Sequence, residues 1–189
     1  IIKILKFDRE GLKYLALLIT ALIPALIAGF ILIEKIEPIF SNMFYLGIFF
    51  IFSGIVIYST KFSSEKKEKI NFIDSIFIGL FQALAILPGI SRSGMTISAG
   101  LFKGLTKEQA IKFSFLLAIP VILGASLLEF NNLLIAEISF SILVISFIIT
   151  FLVSLFTLKL LIKIINKDKF YLFGIYDFVL GVLVLIWSF

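Results

Sequence analysis

The chain has 189 residues, is 61% hydrophobic and only 15% charged, and carries a net charge of +5. A soluble domain is nearer half apolar, so this composition excludes a soluble enzyme and leaves no polar segment long enough for a separate soluble domain. Cysteine and histidine are both absent, which removes thiol chemistry together with the commonest metal ligand and the commonest general base.

The N-terminal IIKILKFDREGLK is short and basic, without a signal-peptide pattern. It reads as an internal loop, and a further region before it is expected. Residues 15–33 form a first apolar span with Pro24 inside, and residues 43–60 a second with no charge. Residues 61–74, KFSSEKKEKINFID, read as a solvated loop. A short apolar segment follows at 75–87, then LPGISRSGMT at 87–96, then another short segment at 95–102. The order Thr-Lys-Glu-Gln from Thr106 predicts a helix start. Residues 110–128 form the next span, with Pro120 inside; 138–158 form another that continues into the basic KLLIKIINKDK; 170–189 form the last. Pro24 and Pro120 are expected to kink packed helices.

The two short segments are the anomaly. As a helix, residues 75–87 reach about 20 Å, against about 30 Å for a hydrocarbon core. A single crossing through both would place Pro88, Gly89, Arg92 and Gly94 at its middle. The alternative is a re-entrant hairpin, whose broken backbone is tolerated at membrane depth when it lines a polar cavity. Loop charge favours the hairpin. Lys and Arg number four before the first span, one in 34–42, four in 61–74, three in 103–112, none in 129–137 and four in 159–169. If the hairpin returns to its own side, every rich loop is cytoplasmic and every poor loop lies outside, with the C-terminus outside as well. The fold expected is all-α: one polytopic transmembrane domain over residues 1–189, with a re-entrant helix-loop-helix hairpin at 75–102.

Within the hairpin, Pro88 and Gly89 break the first helix, and Ser91, Arg92 and Ser93 fall just before the second. A helix N-terminus offers free N–H groups and a positive dipole end. A guanidinium grips phosphate in a two-pronged way, three hydroxyls stand beside it, and Gly94 lets the backbone approach a ligand. The pattern reads as an anion site on a broken helix, as in many transporters. The competing reading has Arg92 snorkelling to an interface while Ser91, Ser93 and Thr96 cap a kink. An arginine inside a membrane costs roughly 2.5–3.5 kcal/mol on insertion scales, which favours a functional role. Of the remaining polar groups, Gln82 is expected in an interhelical hydrogen bond and Asp177 in an interfacial or lysine-paired role. Glu34, Glu37 and Glu129 are read as solvated span ends.

LPGISRSGMT resembles the PGxSRSGxT signature of the bacitracin-resistance type of undecaprenyl-diphosphate phosphatases. The similarity runs continuously from Ile78 to Glu129 and extends to ALIPALIAG and the closing GIYDFVLGVLVLI. It implies a membrane hydrolase that converts undecaprenyl diphosphate to undecaprenyl phosphate plus phosphate. Such activity recycles the lipid carrier of peptidoglycan and other cell-wall synthesis and gives bacitracin resistance. It also implies a multi-pass location in the bacterial plasma membrane and two re-entrant hairpins of opposite orientation meeting in a cleft open to the outside. Carried over, Ser91, Arg92 and Ser93 are catalytic, Thr96 binds phosphate with them, and Gly89 and Gly94 shape the substrate loop. The partners implied are the polyprenyl diphosphate and membrane lipids, with a homodimer as the assembly to test and no nucleic acid. A flippase or transporter of polyprenyl phosphate would use the same anion site without cleavage.

The chain departs from the family in two ways. The first signature, resembling EGxTEFLPxSSxGH, is absent, so the ligands of an expected Mg²⁺ or Ca²⁺ and the attacking group are assigned to a region before Ile1, and residues 1–189 alone are expected to be inactive. In the last helix the family tends to carry arginine after the tyrosine, where this chain has Asp177.

Overall fold

The computed structural model describes residues 9–32, 39, 42–135 and 139–188, without the side chains of 128–135. Among them are seven α-helices: α1 Arg9–Leu32, α2 Met43–Ser59, α3 Phe72–Leu84, α4 Arg92–Phe102, α5 Lys107–Ile135, α6 Phe140–Asn166 and α7 Tyr171–Trp187. Four stretches are long and apolar enough to cross a membrane: Arg9–Leu32, Met43–Phe62, Lys107–Leu127 and Phe140–Asn166. The fifth expected span, α7, has 17 residues, the lower limit for a crossing. The protein is an all-α, multi-pass membrane protein. Glu34, Glu37 and the side chain of Glu129 lie outside the described residues.

The chain forms two compact units. One is Ala118–Lys169, in which α6 is exposed along nearly its whole length. A helix that is apolar on every side suits lipid contact. The other unit joins the described residues up to Leu117 with those from Phe170 onward, and it holds the hairpin.

The hairpin begins three residues earlier than the apolar run suggests. Asn71 caps α3 by accepting from the Asp74 N–H, while the Asp74 carboxylate accepts from the Asn71 N–H. The same carboxylate, almost fully buried, takes two 2.8 Å hydrogen bonds from the Lys67 ammonium. Residues 61–74 are therefore not wholly a solvated loop. α3 ends in a turn at 85–87, and Pro88–Gly89 then reverses the chain. Ile90 N–H donates to the Leu87 carbonyl at 3.3 Å and Gly89 has φ +85°. This is a type II turn, with proline where φ is pre-set and glycine where φ must be positive. α4 follows at once and packs back against α3.

The two ends of the hairpin are tied together. The N–H groups of Lys66 and Lys67 donate to the Gly104 carbonyl at 2.8 and 3.0 Å, and Thr106 N–H donates to the Lys67 carbonyl at 3.1 Å. A single crossing would separate these residues by about the 30 Å of a hydrocarbon core. The chain thus leaves and returns at one level, as the charge alternation requires. α5 then starts after Thr106, whose hydroxyl accepts from the Gln109 N–H at 3.4 Å.

α2 and α7 form the other pair, antiparallel and in backbone contact. A Cβ on Gly54 would lie 2.6 Å from the Phe178 nitrogen, and one on Gly174 would lie 2.6 Å from the Gly54 carbonyl oxygen. Small residues let membrane helices approach this closely. Replacement of Gly54 by leucine is expected to force α2 from α7 at about 1–3 kcal/mol of stability, the usual scale of overpacking. The melting temperature of the protein in detergent reads this; an unchanged value would contradict the close approach.

Candidate functional site

The site lies where the Pro88–Gly89 turn delivers the chain to α4. Ser91 is the N-cap: its hydroxyl oxygen accepts from the Gly94 N–H at 3.2 Å. Met95 N–H already donates to the Ser91 carbonyl at 2.8 Å. The N–H groups of Arg92 and Ser93, in the first turn, have no acceptor among the described residues. These two donors stand at the positive end of α4. The Ser93 side chain is exposed. The Ser91 hydroxyl proton likewise has no acceptor among the described residues.

Arg92 is the first residue of α4 and is part-buried. Among the described residues no carboxylate or other acceptor engages its guanidinium. A cation set at a helix N-terminus works against the dipole, and one withdrawn from water without a partner is costly. Both penalties are relieved by an anion. Ser91, Arg92 and Ser93 thus stand in succession at the N-terminus of α4, bringing two hydroxyls, two backbone N–H groups and a guanidinium to that end of the helix.

The other residues singled out in the sequence sit differently. Thr96 is only 2% exposed. Its hydroxyl donates to the Arg92 carbonyl at 3.0 Å and lies 2.6 Å from the Ser114 hydroxyl on α5. It fastens the first turn of α4 to α5. The space a Cβ on Gly94 would need is filled by Ile57 Cδ1 and the Ser91 side chain, at 2.5 and 2.8 Å. Gly89 presses on α2, where a Cβ would fall 2.9 Å from the Leu46 carbonyl oxygen. Gln82 is buried with its amide nitrogen lacking an acceptor among the described residues, so the expected interhelical bond does not form through that atom.

Two further residues bear on the site: Ser53, which the sequence does not single out, and Asp177, for which an interfacial or lysine-paired role is expected ahead of one lining the cavity. Ser53, fully buried on α2, accepts from the Ser91 N–H at 3.2 Å and donates to the Asp177 carboxylate at 2.9 Å. Asp177, on α7 and 8% exposed, is therefore serine-bonded, and among the described residues it has no lysine partner. A serine within an apolar run carries no pattern of its own; only the presence of an acid elsewhere in a span hinted that a partner existed.

No three of the described Asp and Glu residues come together as a cation site. What the described residues offer at the start of α4 is a set of donors without an acceptor among them.

The chain is similar to known proteins over nearly its whole length. A family model described as bacitracin resistance protein BacA matches residues 2–183. An undecaprenyl-diphosphatase of Methanococcus maripaludis (strain C5) is 39% identical over 184 residues, covering 95% of this chain and 72% of that protein. Proteins of the same name from Desulforapulum autotrophicum and Carboxydothermus hydrogenoformans are 36% and 38% identical, covering 99% and 90% of this chain and 69% and 68% of theirs. With a match over nearly its whole length, the chain belongs to the bacitracin resistance protein BacA family.

Proposed function

We propose that the chain serves the hydrolysis of undecaprenyl diphosphate to undecaprenyl phosphate plus phosphate, as the name of its relatives states for them. The observation that carries this reading is the part-buried Arg92, without an acceptor among the described residues, beside N–H groups at the start of α4 that likewise have none. In hydrolysis the bond between the terminal phosphorus and the bridging oxygen breaks, and negative charge grows on the leaving phosphate. Fixed donors aimed at that charge in a water-poor site supply most of the catalysis such chemistry needs. Arg92, the Arg92 and Ser93 N–H groups and the Ser91 and Ser93 hydroxyls are those donors. The names of the relatives speak for cleavage over carriage.

Lysine in place of Arg92 is expected to lose most activity although the charge is kept, because a point donor cannot grip two oxygens at once. Loss of one such contact is worth roughly 2.7–4 kcal/mol, about a hundredfold or more in rate. Phosphate release at equal expression measures it, and near-normal turnover by Arg92→Lys would make the arginine structural.

Mg²⁺ or Ca²⁺ is part of the reading. No three of the described acids group as its ligands, and our reading assigns the cation's ligands and the group that attacks phosphorus to residues outside those described. Residues 1–189 alone are accordingly expected to bind phosphate without appreciable turnover. The purified 189-residue chain, assayed beside the product of the complete coding sequence, gives the comparison. Equal turnover would place a whole active site within these residues.

In orientation, the loop at 61–74 faces the cytoplasm and the C-terminus the outside of the cell membrane, following the lysine alternation. The chain has no native cysteine, so a Ser64→Cys variant and a cysteine appended after Phe189 can each be probed with a membrane-impermeant reagent. In intact cells only the appended one should react; the reverse pattern would invert the topology. The homodimer is a further proposal, read from the mass of the detergent-extracted protein.

A further inference from the structure

We propose that Asp177 and Ser53 are positioning residues for the anion cradle, acting through the backbone N–H of Ser91. This rests on the reading that the cradle binds a diphosphate. The Ser53 hydroxyl has one proton to give and lone pairs to accept with. Its proton goes to Asp177 Oδ2 at 2.9 Å and its oxygen receives the Ser91 N–H at 3.2 Å.

That orientation is not what a helical hydroxyl does by default. Thr20, Ser59 and Thr157 each donate back to the carbonyl four residues earlier in their own helix, at 2.8, 2.7 and 2.8 Å. Ser53 is the same kind of residue on α2, yet its proton crosses to α7. The acceptor drawing it there is Asp177. With the proton so directed, the oxygen is left facing the cradle loop. Take the carboxylate away and the hydroxyl has the ordinary back-bond open to it, which turns its proton into its own helix.

The consequence falls on Ser91. Its hydroxyl caps Gly94, its carbonyl accepts from Met95, and its N–H is held by Ser53. All three groups are engaged, so the peptide that leads into Arg92 has one orientation. The free N–H groups of Arg92 and Ser93 follow directly from it. Asp177 and Ser53 touch no reacting atom in this scheme; they fix the residue that does.

The test uses the complete gene product purified in detergent. It reads the affinity for inorganic pyrophosphate, the melting temperature and phosphate release from the lipid diphosphate. Ser53→Ala and Asp177→Leu are each expected to weaken pyrophosphate binding about tenfold, the worth of one lost hydrogen bond, and to lower the melting temperature. The double variant separates positioning from structure. Replacing both polar partners by apolar groups is nearly neutral for stability, so melting returns towards the wild type while affinity stays about tenfold weak. A double variant that binds pyrophosphate as tightly as the wild type would overturn the proposal. So would single variants with unchanged affinity. If the double variant does not fold, Ser53→Thr decides: keeping a hydroxyl, it should recover the affinity that alanine loses, and a threonine variant as weak as alanine counts against the idea. A wild type that binds pyrophosphate but releases no phosphate contradicts the proposed function and leaves the binding readout standing. A wild type that binds no pyrophosphate overturns both.

Discussion

A helix N-terminus leaves backbone N–H groups with no partner inside the helix, and each such group is expensive where water is scarce. The fold around α4 is organised by that constraint. Ser91 takes one donor through its cap, and Ser53 reaches across from another helix for the Ser91 N–H itself. The two that remain, on Arg92 and Ser93, stand beside a guanidinium. Among the described residues nothing accepts from them, and under the proposed function the oxygens of a phosphate would.

A serine can bridge two helices and a loop only if its backbone is already close to both, because its side chain is short. The close approach of α2 and α7 provides this. Gly54 is the next residue after Ser53, and Gly174 lies one turn before Asp177. Their missing side chains bring the two backbones into contact. Larger residues there would carry Asp177 out of reach of Ser53. Packing and site geometry are one arrangement in this region: the glycines bear on the anion cradle although neither touches it. On the other side of α4, the Thr96–Ser114 bond fixes the same turn to α5.

Much of this was legible in the chain. Span positions followed from apolar runs, and the out-and-back path of the hairpin from the shortness of its two segments and the loop charges together; the bonds of residues 66–67 and 106 across to 104 and 67 bear it out. Pro88–Gly89 announced the turn because proline and glycine act through local sterics. The capping box at Asn71 and Asp74 was equally local but was masked by the charged loop around it. The roles of Ser53 and Asp177 could not be read, since a hydroxyl's partner is set by which helices meet, and nothing in a run of apolar residues records that. The inward turn of the Thr96 hydroxyl had the same cause: its partner Ser114 is 18 residues away, on another helix.

The placement of charge follows a consistent logic. The unit that holds the hairpin contains a guanidinium in α4 and a carboxylate in α7, both withdrawn from water, and the simplest way to lower the cost of each would be to pair them. The structure does not do so. Asp177 is bonded to Ser53, and Arg92 has no acid among the described residues. Under the proposed function, a carboxylate paired with Arg92 would have to be displaced by an incoming phosphate and would repel it. With a neutral hydroxyl set between the acid and the cradle loop, the carboxylate orients the loop without occupying the arginine. On the positioning proposed above, the donors are in place before a phosphate arrives, and donors that need no reorganisation are the ones that lower a barrier.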